Sequence, residues 1–165
     1  MNFGLKPYPK IGVNKNVNEK TENKICHDGV IFHGDPVSKL QDRIKRRQGK
    51  EKIYGIFQGC FYEDDLIFSN MYYGNNKEAI AFIVTDLENR IFLIRENGNL
   101  QKNDLWKNFN LTNLFGDVKT GISHVSLDSS STENGSDVNF LGFYANENND
   151  IKNEKSICVV KINEK

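Results

Sequence analysis

Apolar residues come in short clusters separated by charged and asparagine-rich stretches, and the spacing inside each cluster predicts the elements. Gly29-Val30-Ile31-Phe32 reads as a short strand ending at His33-Gly34. Asp35-Pro36 then reads as a helix start. The carboxylate can accept the first free N–H groups, and proline suits the first helical position, where no N–H is needed. Val37, Leu40 and Ile44 follow at i, i+3 and i+7, a stripe that predicts a helix to about Gln48 with Gly49 as its stop. Its other face carries Lys39, Arg43, Lys45, Arg46 and Arg47. Ile53 to Phe61 is mostly apolar with Gly55 and Gly59 inside it, which predicts a bent or closely approached strand. After Glu63-Asp64-Asp65, the run Leu66 to Tyr73 predicts a short second helix with Ser69 and Tyr72 on one turn.

Ala79 to Val84 and Arg90 to Ile94 flank Thr-Asp-Leu-Glu-Asn and predict a hairpin. Leu105 to Phe115, which holds the only tryptophan, Trp106, fits a short helix or a loop pinned by its apolar side chains. Ile122 to Leu127, with His124 inside, reads as a strand; Val138 to Tyr144 and Ser156 to Ile162 read as a second hairpin. Residues 1–28 hold too few apolar groups to offset the entropy of ordering, so they predict a flexible arm docked through Phe3, Leu5 and Tyr8. Residues 29–165 then form one domain of α+β class. It has a small mixed, mostly antiparallel β core, one main N-terminal helix and a short second helix. Two similar runs, from Phe82 and from Leu141, begin about 60 residues apart. They open the alternative of a repeat architecture such as a propeller, whose lectins carry tryptophan in their links.

Composition narrows the function more than the fold. At 165 residues the chain can bury about two-thirds of the surface its unfolded form exposes. Twenty-two basic and twenty-two acidic residues cancel, leaving no global field to draw nucleic acid or an anionic membrane. No apolar run approaches the ~20 residues that span a bilayer, and the opening MNFGLKPYPKIG lacks the apolar core of a secretory signal. A soluble chain is expected, cytoplasmic or delivered as an effector. Cys26, Cys60 and Cys158 are odd in number and far apart, which fits reduced thiols better than a disulfide framework.

One ordered set of residues points to a chemistry: His33-Gly34, the predicted helix, Gly59-x-Phe61-Tyr62-x-Asp64, then Ser69-x-x-Tyr72. The set resembles the catalytic core of the ADP-ribosyltransferases of the poly(ADP-ribose) polymerase and diphtheria-toxin type. The resemblance implies an ADP-ribosyltransferase-like fold, NAD as substrate and a macromolecular acceptor. It places the carboxamide of nicotinamide on the Gly34 backbone and the Ser69 hydroxyl. Tyr72 would stack on the ring, Phe61 or Tyr62 would flank it, and His33 would hydrogen-bond the adenosine ribose. Such transfer passes through a cationic sugar and needs negative charge close by. The resemblance puts that acid at the start of the Val138 strand, where Asn139 aligns best and cannot supply charge. Asp137, two residues earlier and so on the same strand face, is the substitute. The catalytic set is thus His33, Tyr72 and Asp137. The function implied is an NAD-dependent effector or an inactive NAD-binding relative.

Other readings compete. His33 can cap a strand end while Tyr72 and Phe61 fill a core. Cys60 with His124 as base has the makings of a Cys-His hydrolase or glutamine deamidase, but a cysteine in an apolar strand is also a small buried hydrophobe. Cys26-His27-Asp28 with His33 and Asp35 gathers metal-ligand types but lacks a second Cys or His pair, so no metal is expected. The basic face at 39–47 suits a phosphate-bearing partner, yet without interleaved aromatics nucleic acid is not indicated. From a different class comes a non-enzymatic β-rich interaction or carbohydrate-binding protein.

Overall fold

The structure, a computed structural model, describes residues 3–8, 20–25, 29–74, 77–131, 135–145 and 156–163. The strands described are β1 (Lys6–Pro7), β2 (Lys20–Ile25), β3 (Ile31–Phe32), β4 (Pro36–Leu40), β5 (Arg43–Arg46), β6 (Gly55–Tyr62) and β7 (Asp65–Asn70). They continue with β8 (Tyr72–Tyr73), β9 (Ala79–Val84), β10 (Phe92–Arg95), β11 (Asn108–Leu111), β12 (Leu127–Asp128), β13 (Val138–Phe143) and β14 (Ile157–Ile162). A 3-10 turn at Lys102–Asp104 is the one helical element among the described residues. The expected α+β class, with its ADP-ribosyltransferase-like helices, is therefore corrected to nearly all β.

Both predicted helices are strands. The 36–48 segment is the antiparallel hairpin β4–β5, turned at Gln41-Asp42 with Gln41 at φ 57°. Val37 and Ile44 are fully buried as expected, but Leu40, the middle member of the supposed stripe, is 52% exposed at the turn. Proline is tolerated at the first position of a strand as well as of a helix. Asp35 accepts a backbone bond as an N-cap would, but from Phe32, three residues behind it, at 3.0 Å. The 66–73 segment supplies β7 and β8, with β7 returning along β6 after the Glu63-Asp64 turn. The predicted hairpin between Ala79 and Ile94 also fails, because β9 lies between β2 and β6 while β10 pairs with β1 and β14. β13 and β14 do pair antiparallel. Within 1–28, Lys6–Pro7 and Lys20–Ile25 are strands and Leu5 is fully buried.

The strand order contains two rings of the same design. In the first, β4–β5–β2–β9–β6 closes through β6 back onto β4, and β2–β5 is its one parallel pair. In the second, β11–β12 meets β10 through a parallel bridge from Leu127 to Glu96, and β10–β14–β13 returns to β11. The registers coincide throughout. Phe57↔Ile83, Gly59↔Phe82 and Cys60↔Ala81 in the first ring match Phe140↔Val160, Gly142↔Val159 and Phe143↔Cys158 in the second. Val37↔Gly55 matches Phe109↔Val138, and Lys39↔Ile44 matches Leu111↔Leu127. Both rings bulge just before a positive-φ glycine, Gly59 at 134° and Gly142 at 146°, the backbone that an inserted residue in a ladder requires. The two rings are therefore an internal structural repeat of one barrel-like unit.

Each ring encloses its own core. Val37, Ile44, Phe57, Cys60, Ala81 and Ile83 fill the first, and Phe109, Leu127, Phe140, Cys158 and Val160 fill the second. Ile53, Ile56 and Val84 of the first ring pack into the second core. A buried ion pair pins the two rings together. Arg47, just past β5, donates from Nη1 and Nη2 to Asp137, just before β13, at 3.0 and 2.6 Å. Arg47 Nε bonds the Glu51 carbonyl and Asp137 also accepts the Leu111 amide, so both charged groups are held by several bonds.

Candidate functional site

Trp106 follows the 3-10 turn and precedes β11. It is 71% exposed, the largest exposure among the large apolar side chains described, and its φ is 68°. The left-handed region costs a residue with a Cβ roughly 1–2 kcal/mol. The repeat shows what occupies the matching place in the other ring. Gly34 N donates to Phe57 O and Phe57 N donates to Asp35 O in the first ring; Trp106 N donates to Phe140 O and Phe140 N to Lys107 O in the second. Gly34, at φ 89°, is thus the structural counterpart of Trp106. Where one copy uses glycine, the other keeps the same backbone and carries the chain's only tryptophan.

The turn beneath it is firmly tied. Asp104 accepts the Gln101 amide at 2.9 Å and the Lys107 ammonium at 2.7 Å. Its carboxyl lies below the usual range, first because of the Lys107 bond and then the Gln101 amide. Asn139 Nδ2 donates to the Trp106 carbonyl at 2.6 Å and to Asn108 Oδ1 at 3.1 Å, and Asn163 Nδ2 donates to Asn108 Oδ1 at 3.1 Å. These three amides come from β11, β13 and the end of β14, so they cross neighbouring strands of the second ring. Among the described residues, Asn108 Nδ2 and the Oδ1 atoms of Asn139 and Asn163 make no hydrogen bond. One donor group and two acceptors are left in a patch tied to the Trp106 backbone carbonyl. Asn163 also borders a cleft of about 410 Å³ whose other walls include Tyr54, Leu87, Lys52, Asp86 and Glu88. The Lys39 ammonium lies 5.0 Å from the Tyr54 ring centroid.

The residues singled out by sequence fall elsewhere and in several places. His33 Nδ1 bonds the Gln58 carbonyl at 3.1 Å, and its backbone pairs with Gly121 and Ser123. Tyr72 stacks on Phe32 at 5.9 Å, next to Gly121. The Gly34 amide donates to Phe57 O and its carbonyl accepts from Leu5 N, so the amide is not open to a carboxamide. Phe61 meets Phe82 edge-on, Tyr62 packs beside Tyr73, and Ser69 lies in β7. Asp137 has both oxygens bound by Arg47 and belongs to the second ring. His33 and Tyr72 are neighbours; Asp137 is not brought to them. Cys60 is a core residue whose thiol donates to the Tyr72 carbonyl, and burial pushes its pKa up to about 12. His124 is half-buried, in the segment leading to β12. Cys26, His27 and Asp28 lie outside the described residues, and no group of three metal-ligating side chains forms among those that are described. Among the described residues, no helix is long and apolar enough to cross a membrane.

Sequence reasoning passed over Asp35 as a structural hub. Buried completely, it accepts from Phe32 N, Arg46 Nε at 2.9 Å and Ser123 Oγ. Arg46 also bonds the Leu114 carbonyl and lies over the Phe115 ring, which ties the 112–126 loop to the first ring. The signal for Trp106 was present in sequence as the lone tryptophan, but its backbone and exposure were not. No family model, no curated protein and no solved structure matches the chain.

Proposed function

We propose that the chain is a non-enzymatic, β-rich carbohydrate-binding protein in which Trp106 is the stacking platform. One observation carries the reading: the only tryptophan is held largely in solvent on a backbone that the matching ring gives to glycine. Strain of this kind persists where the surroundings over-determine it, and such places cluster at functional sites. An exposed indole can stack on the C–H face of a pyranose. Asparagine amides both donate and accept, which matches the mixed demand of sugar hydroxyls. The neighbouring amide row therefore favours a hydroxyl-rich ligand over the apolar pocket-filling of a protein hot spot.

A glycan array tests this with the wild type, Trp106→Ala and Phe115→Ala. Retention of pyranose glycans by the wild type and by Phe115→Ala, with loss in Trp106→Ala, is the expected result. No retained glycan, or equal retention by Trp106→Ala, would sink the proposal.

A further inference from the structure

We infer that the site is extended: the chain binds an unbranched, neutral oligosaccharide along a path from Trp106 over the amide row into the Tyr54 cleft. This rests on the carbohydrate reading above and adds its ligand class. Three observations join the two ends. Trp106 and Asn108 are separated by one residue, and Asn139 holds the Trp106 carbonyl. The Asn139 and Asn163 Nδ2 atoms each donate to Asn108 Oδ1 at 3.1 Å, so the three amides form one continuous polar link from the Trp106 carbonyl across β13 to Asn163. Asn163 is a member of both the amide row and the cleft wall, so the two features share a residue.

The far end is chemically suited to a sugar as well. Tyr54 and Leu87 give apolar wall, while Asp86, Glu88 and Lys52 offer acceptors and a donor for hydroxyls. The Asp86 carboxylate is oriented by the Asn89 amide at 2.8 Å. The Asp86 and Glu88 carboxylates are matched by the Lys52 ammonium and by the Lys39 ammonium over the Tyr54 ring, so the cleft carries no excess charge to draw a uronate or sulfated chain. A neutral chain fits both ends, with the indole at one and the phenol ring at the other.

Titration with linear oligomers of one to six units tests this, using β-1,4-glucose, β-1,4-N-acetylglucosamine and α-1,4-glucose series, with oligogalacturonate as the anionic arm. In the series that binds, affinity should rise about tenfold or more between two and five units. Tyr54→Ala and the exposed-site variant Glu88→Ala should each remove much of that gain and leave the disaccharide unchanged, whereas Trp106→Ala weakens both. Circular dichroism of Tyr54→Ala checks folding, and Glu88→Ala carries the test if that variant does not fold. Equal affinity for disaccharide and hexasaccharide, or full gain kept in both cleft variants, overturns the extended site while leaving the Trp106 platform standing. Tighter binding of oligogalacturonate than of every neutral series overturns neutrality. Absence of binding by every series overturns the carbohydrate reading itself.

Discussion

Replacing Trp106 by glycine and, separately, by alanine isolates the backbone cost of presenting the indole. Both variants lose the same side chain, and because that side chain is 71% exposed the lost packing is small and common to both. They differ in the cost of a Cβ at φ 68°. That cost is roughly 1–2 kcal/mol, from which the greater freedom of glycine in the unfolded chain takes back about 0.5–1 kcal/mol. Trp106→Gly is therefore expected to be more stable than Trp106→Ala, by about 0.7 kcal/mol at the middle of a range of about 0–1.5 kcal/mol, a difference of up to a few degrees in Tm at this chain length. At an ordinary position the order would be reversed. Urea unfolding followed by circular dichroism reads the difference, since neither variant retains a tryptophan. Gly34→Ala in the first ring should lose more, because its new Cβ would also sit 2.6 Å from the Phe3 carbonyl. An alanine variant at 106 more stable than the glycine variant would refute the strained presentation and remove the main support for the repeat-based argument.

Two further outcomes follow from the charges inside the fold. Arg47→Met should cost about 3–5 kcal/mol by urea unfolding, since it leaves the Asp137 carboxylate buried without its cation, while Arg47→Met with Asp137→Leu should cost less than the single change; additive losses would contradict the pinning role. Burial raises the Asp35 carboxyl above its ordinary range despite Arg46, Ser123 and the Phe32 amide, which pull the other way. The folded state then holds the proton more tightly than the unfolded one. That contribution is complete below about pH 3.9 and is lost as pH rises through the folded value, by up to about 1.4 kcal/mol per unit. Wild-type stability relative to Asp35→Asn should accordingly fall as pH rises from 4, and a rise over that interval would contradict it.

Much of the strand placement was legible in the pattern, and the element type at 36–48 was not. Three apolar residues at i, i+3 and i+7 fit a helix, but they also fit a hairpin that buries Val37 and Ile44 and leaves Leu40 at the turn. Asp35-Pro36 gave no discrimination, because proline suits the first residue of either element and the carboxylate could reach backward as easily as forward. The repeat left little sequence trace. Phe57-x-Gly59 and Phe140-x-Gly142 share their spacing, but equivalent core places hold Val37 and Phe109, or Ala81 and Cys158, so volume moved while register stayed. Matching Phe82 with Leu141 by pattern gave a different offset from the structural one, which sets Phe82 against Val159. Asp137 read as a spare acid because its partner Arg47 lies far away in sequence. The lone tryptophan was visible, but nothing in its neighbours foretold a left-handed backbone.

The emission of Trp106 gives the most direct test, since no other tryptophan contributes to it. In the free protein an indole this exposed should emit at long wavelength and be quenched readily by acrylamide. Saturation with a binding oligosaccharide should shift the emission to the blue and reduce acrylamide quenching, with a midpoint equal to the Kd measured by calorimetry. A saccharide that binds by calorimetry while emission and quenching stay unchanged would place the ligand elsewhere and contradict the account.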